Sequence, residues 1–109
     1  MNEFGLVEMF RPRPEWYALS RDERRAFLDN CRREIERLLA GGVRFVGVYA
    51  GRWTGEWHGF SVCECPGAEA TESWIEAAER AGWFRYFEQV NVAGRKMSLQ
   101  DYFRSLVEL

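Results

Sequence analysis

The order of its elements constrains this chain more than any other feature. Between Phe4 and Ala93 the apolar pattern reads strand–helix–strand–strand–helix–strand, with apolar residues on both faces of the strands. Two helices cover only one face of a four-stranded sheet, so the other apolar face needs a further partner. A second copy of the chain is the economical one. At 109 residues the whole chain, 1–109, reads as one domain, with a core that dimerisation would enlarge.

Local signals place the elements. Phe4–Phe10 is an apolar run with Glu8 as its one charge, and it ends at Arg11-Pro12-Arg13-Pro14, where proline removes ladder donors. Ser20 and Glu23 form a capping box that opens a helix carrying Phe27, Leu28, Cys31, Ile35, Leu38 and Leu39 at helical spacing. Gly41-Gly42 stops it. Val43–Ala50 and Gly59–Cys65 then read as a hairpin with a long, aromatic connection, and Ala68–Ala81 as a second helix with Trp74, Ile75 and Ala78 inward. Glu88–Ala93 is the fourth strand, ending in a turn at Gly94-Arg95. Ser98 with Asp101 opens a short terminal helix to Leu109.

Composition excludes several classes. Hydrophobic residues make up 47% of the chain and aromatic residues 16%, too much for a disordered chain. The net charge is −2 with both signs interspersed, which leaves no basic footprint for nucleic acid. Arg21–Arg37 carries five acids among its arginines and reads as a solvated helix face. No apolar run reaches the ~20 residues of a membrane span. No secretory leader is visible, and three cysteines without framework spacing suit a reducing cytoplasm.

The topology predicts a ferredoxin-like α+β sandwich with sheet order 4-1-3-2, strands 1 and 3 parallel and strands 2 and 3 antiparallel. Pairing Val46 with Val62, Val48 with Phe60 and Arg44 with Glu64 divides the sheet into two faces. One carries Phe4, Leu6, Phe10, Val46, Val48, Phe60 and Val62, with Glu8, Arg44 and Glu64 near one end, and is expected to pack on a second copy. The other carries Gly5, Val7, Met9, Phe45, Gly47, Tyr49, Ser61, Cys63 and Cys65. Its small residues leave room for Trp74 and Phe27, or for a ligand.

The element order and the two-faced sheet resemble the dimeric α+β barrel superfamily, which includes small monooxygenases, haem-degrading enzymes, muconolactone isomerase and polyketide cyclases. More narrowly, Phe10–Ser20 and Gly82–Asn91 resemble a family of small single-domain bacterial proteins without assigned chemistry. The resemblance implies a homodimer with a pocket between sheet and helices. In haem-degrading members the haem histidine comes from the second helix, and Ala68–Ala81 contains none, so the resemblance does not extend to haem.

Several constellations carry chemistry. Glu8 and Glu64, if neighbours, would raise one another's pKa as a general acid requires, whereas Arg44 beside them would make a structural ion-pair network. His58, the sole histidine, is the side chain that titrates near neutrality and is the candidate general base, with Tyr49 or Tyr86 stabilising oxyanion charge. Trp53 and Trp57 on the hairpin loop, with Trp74, Met9 and Cys63, are candidate pocket walls for an aromatic or lipophilic molecule, or caps on a partner. Cys63-Glu64-Cys65 falls short of a zinc set and reads as buried apolar packing, so no metal site is expected. The pattern points to a cofactor-independent isomerase, cyclase or monooxygenase acting on an aromatic or polyketide-like molecule. The alternative is a non-catalytic ligand-binding or assembly module.

Overall fold

The computed structural model describes residues 2–51 and 55–109. Its elements run β1 (Phe4–Pro12), α1 (Pro14–Tyr17), α2 (Arg21–Ala40), β2 (Arg44–Ala50), β3 (Gly59–Cys65), α3 (Ala68–Arg80), α4 (Trp83–Tyr86), β4 (Phe87–Arg95) and α5 (Leu99–Val107). The sheet order is β2-β3-β1-β4, and the fold is the expected ferredoxin-like α+β sandwich with a C-terminal helix.

Local signals act as their chemistry dictates. The Ser20 hydroxyl accepts from the Glu23 N–H at 3.1 Å while the Glu23 carboxylate accepts from the Ser20 N–H at 2.9 Å, closing the capping box of α2. Gly82 has φ +83°, a left-handed conformation open to glycine, and it ends α3 so that α4 can turn back toward the sheet. The short helices α1 and α4 escape the sequence pattern because each is a single turn. β4 runs on through Gly94-Arg95, where a turn was expected, because its pairing with β1 continues as far as Phe4 opposite Arg95.

Strand direction and register correct the expectation in two places. β1 and β3 are antiparallel. The crossover through α2 returns β2 in the direction of β1, and β3 folds back against β2 before sliding in beside β1. Leu6 therefore opposes Cys63, Glu8 opposes Ser61, and Gly5 opposes Glu64. Glu8 and Glu64 thus lie on opposite faces, and the proposed carboxylate pair does not exist. In the β2–β3 hairpin, Arg44 opposes Glu64 as expected, but Val46 is the extra residue of a bulge between Phe45 and Gly47. Past the bulge the alternation flips, so Val48 opposes Ser61 and Tyr49 opposes Phe60 in place of the predicted Val46–Val62 and Val48–Phe60 pairs.

The faces change accordingly. Phe4, Leu6, Glu8, Phe10, Phe45, Val48, Ser61, Cys63 and Cys65 share the helix side, where Leu6, Cys63 and Cys65 are fully buried and pack with Val43 and Trp74. The outer face holds two continuous cross-strand rows: Tyr49–Phe60–Met9–Val90 and Gly47–Val62–Val7–Val92. Gly47 leaves room for the Tyr49 ring to lie over it, and a Cβ there would sit 2.9 Å from the phenolic oxygen and displace the ring. Tyr49 thereby stacks on Phe60 with centroids 5.0 Å apart.

Candidate functional site

α3 packs on β1 and β3, whereas α2 leans on α3 and does not lie flat on the sheet. The apolar residues of α2 consequently hang over a gap, and Leu28, Ile35 and Leu39 remain more than a third exposed. The gap is a cavity of about 400 Å³. Phe10, Phe45 and Val48 from the strands form its floor, Leu28, Cys31, Ile35 and Leu38 of α2 with Trp74 and Ala77 of α3 form its roof, and Trp83 closes one end. Its size falls within the roughly 300–1,000 Å³ of small-molecule sites.

One charged group is set into that apolar floor. Glu8 is 6% exposed. Its Oε1 accepts from the Trp74 indole N–H at 2.7 Å and the Ser61 hydroxyl at 3.1 Å, and its Oε2 accepts from the Gln89 amide at 2.7 Å. A carboxylate has about four acceptor positions, so three donors leave one, on Oε2. The orientation of Gln89 is dictated by chemistry. Trp83 can only donate, and its indole N–H lies 2.8 Å from the Gln89 Oε1, so the amide nitrogen must turn to Glu8, and it also donates to Asn91 at 2.7 Å.

Trp83 is held in turn by aromatic packing. It stacks on Phe87 at 4.0 Å and meets Phe10 edge-on at 5.8 Å, beside a cluster of Trp16, Phe27 and Tyr86. No cation pairs with Glu8 among the described residues. Burial raises its pKa above the ordinary carboxylate value, and the hydrogen bonds from Trp74, Ser61 and Gln89 only partly offset that shift. A carboxyl poised in this way can exchange a proton with a bound molecule.

The other residues named from the sequence are scattered. Trp74 lies in the cavity roof and touches Glu8. Cys63 is in the sealed core, where burial and then the Glu8 charge push its thiol up to about 12. Met9 and Tyr49 sit on the outer face. Tyr86 belongs to the aromatic cluster with Trp16 and Phe27. His58 is exposed at the end of the hairpin, where its backbone N–H donates to Phe10 at 3.0 Å. Trp57 lies under the Arg11 guanidinium at 4.6 Å, and Trp53 lies outside the described residues. The chain's single histidine is thus away from the cavity wall, and the residues do not supply an imidazole for haem. Among the described residues no group of His, Cys, Asp and Glu could hold a metal ion, and no helix is long and apolar enough to cross a membrane.

Gln89, Ser61 and Trp83 were not singled out from the sequence as site residues. The legible signal was Glu8 itself, the lone charge inside an apolar strand.

The comparisons agree with this architecture. A family model described as a family of unknown function (DUF6616) matches residues 4–109. No curated protein matches the chain. Among solved structures, the fold resembles that of chlorite dismutase from Candidatus Nitrospira defluvii. An arginine variant superposes with a TM-score of 0.78 at 17% identity over 96% of this chain and 44% of that one. The imidazole complex gives 0.76 at 17% over 95% and 44%. A tryptophan variant with cyanide gives 0.75 at 13% over 87% and 40%. The chain spans less than half the length of these proteins, and at such identities the likeness is one of fold.

Proposed function

The chain belongs to the family of unknown function DUF6616, and we propose that it is a homodimeric, cofactor-independent isomerase or cyclase that moves a proton on a flat, apolar small molecule. The observation that carries this reading is the Glu8 carboxyl, unpaired by any cation among its described partners and opening into an apolar cavity. Aromatic rings at Phe10, Phe45, Trp74 and Trp83 suit a planar, aromatic or polyketide-like ligand. In this reading Glu8 takes the proton-transfer role expected of His58, and Tyr49 and Tyr86, expected to stabilise oxyanion charge, do not line the cavity. The free position on Oε2 removes a proton from carbon next to a carbonyl, leaving an enolate. In an isomerisation the Glu8 carboxyl, whose proton exchanges with solvent, then protonates a different carbon of the enolate. In a cyclisation the enolate carbon attacks a second carbonyl within the molecule, and the proton passes to the new alkoxide.

The homodimer is supported by the two apolar rows of the outer face, in which Tyr49, Val90 and Val92 are 46%, 42% and 60% exposed although they lie on one face of one sheet. Two copies would also supply most of the length of the longer chain that this fold matches.

Solvent deuterium exchange tests the proposal. A panel of aromatic ketones and poly-β-ketones is incubated with the protein in D₂O and followed by proton NMR. Exchange at a carbonyl-adjacent carbon with wild type, reduced at least a hundredfold in Glu8→Gln, is the expected result. Equal exchange in the two proteins would remove Glu8 from the chemistry. Tight ligand binding without exchange anywhere in the panel would favour the non-catalytic binding module.

A further inference from the structure

We propose that α5 is a crossing arm: in the homodimer its apolar stripe leaves its own sheet and packs on the outer face of the second copy. The inference rests on the dimer proposed above and adds the segment that is exchanged.

The helix is well formed locally. The Ser98 hydroxyl accepts from the Asp101 N–H at 3.0 Å, and Arg104 pairs with Asp101 at 3.1 Å. Leu99, Tyr102, Phe103 and Leu106, at helical spacing, form one apolar stripe and are 67%, 51%, 58% and 46% exposed. No other element of its own chain packs substantially against α5. Nine residues of helix are marginal in water without a docking surface, because nucleation is costly and few bonds follow it. The stripe therefore needs a cover that its own subunit does not provide.

Three further observations identify a second copy as that cover. The first is shape. The radius of gyration is 15.8 Å with a longest extent of 51 Å, whereas a closed domain of this length would have about 13 Å. The second is reach. Residues 96–98 separate β4 from α5, and three extended residues span about 10 Å, the spacing between two sheets packed face to face. The arm can thus step from its own layer to the partner's.

The third is area. Two rows across four strands make a patch on the order of 300 Å², short of the roughly 800 Å² per subunit that a stable dimer buries. A helix of this length, docked once by each subunit and received once from the other, contributes roughly another 300–400 Å² per subunit and brings the total close to that threshold.

The test uses a mixed dimer of ¹³C-labelled and unlabelled full-length chains. Isotope-filtered NOEs are recorded between the ring protons of Tyr102 and Phe103 and the methyl groups of Val7, Val62, Val90 and Val92. Intermolecular NOEs are expected, and Leu106→Glu should weaken dimerisation at least tenfold by sedimentation while circular dichroism of the sheet is retained. A dimer whose ring-to-methyl NOEs are all intramolecular, or whose affinity Leu106→Glu leaves unchanged, overturns the arm and leaves the dimer standing. A wild-type monomer overturns both.

Discussion

The two faces of this sheet solve opposite problems. On the helix side a charge has been buried, and every buried side-chain nitrogen and oxygen among the described residues has a hydrogen-bond partner. On the outer side apolar residues have been left in water, with Val92 60% and Tyr49 46% exposed. Burying Glu8 costs stability unless its donors are in place, and exposing the valine rows forgoes stability that burial would provide. The proposed function accounts for both: a ligand for the first face and a second copy of the chain for the second.

Breaking the outer face should have the largest effect. Val62→Glu puts a charge in the middle of the row that joins Gly47, Val7 and Val92. Burying it unpaired in a dimer would cost several kcal/mol, so the variant should be monomeric or aggregated in analytical ultracentrifugation. A dimer of wild-type affinity would show that this face is not the interface.

Breaking the inner face comes next. Glu8→Ala orphans the donors of Trp74, Ser61 and Gln89. At about 1–3 kcal/mol for each donor left buried and unpaired, with Ser61 free to rotate, a loss of roughly 2–6 kcal/mol is expected in urea denaturation. Glu8→Gln keeps the shape and the Trp74 and Ser61 bonds but turns an amide toward the Gln89 amide, so it should lose only about 1 kcal/mol near pH 4.

Glu8→Gln also isolates a pH effect. The Glu8 pKa is raised in the folded protein, so above pH 4.5 the folded state holds a proton that the unfolded chain has released. Stability from this group is present at low pH and is lost as pH rises toward the folded value. Glu23, Glu34 and Glu88 have lowered pKa values and act in the opposite direction, losing their contribution as pH falls below 4.5. In the difference between wild type and Glu8→Gln those three cancel. Wild type should therefore lose ground to the variant between pH 4 and pH 8, and a flat difference would mean that Glu8 ionises normally.

How far these faces were legible follows from the kind of signal each residue gives. Caps and stops such as Ser20–Glu23 and Gly82 are local chemistry, and the sequence states them directly. The existence of two apolar faces was equally plain, because it follows from counting helices against strands. Which residue lies on which face was not, since it depends on the direction of β3 beside β1 and on one bulge at Val46, both set by tertiary pairing. The same limit hid the site. Glu8 stood out as the one charge in its strand, but Gln89 lies 81 positions away and nothing local marks it.

The smallest effect is expected at a polar pair on the outer face. Arg44 and Glu64 form an ion pair at the end of the outer face, with the arginine side chain 65% exposed. In one chain alone such a pair is worth about 0–1 kcal/mol, because water screens it and two long side chains must be held. Glu64→Gln should therefore shift the urea midpoint barely measurably in protein diluted until it is monomeric. Made in the dimer, the same change acts where a second sheet excludes water, and removing one partner from a desolvated pair costs more. A larger loss in the dimer than in the monomer is the expected result, read by comparing the two midpoints at matched salt. Equal small losses would mean that this end of the sheet stays wet, restricting the contact to the two valine-bearing rows and the arm.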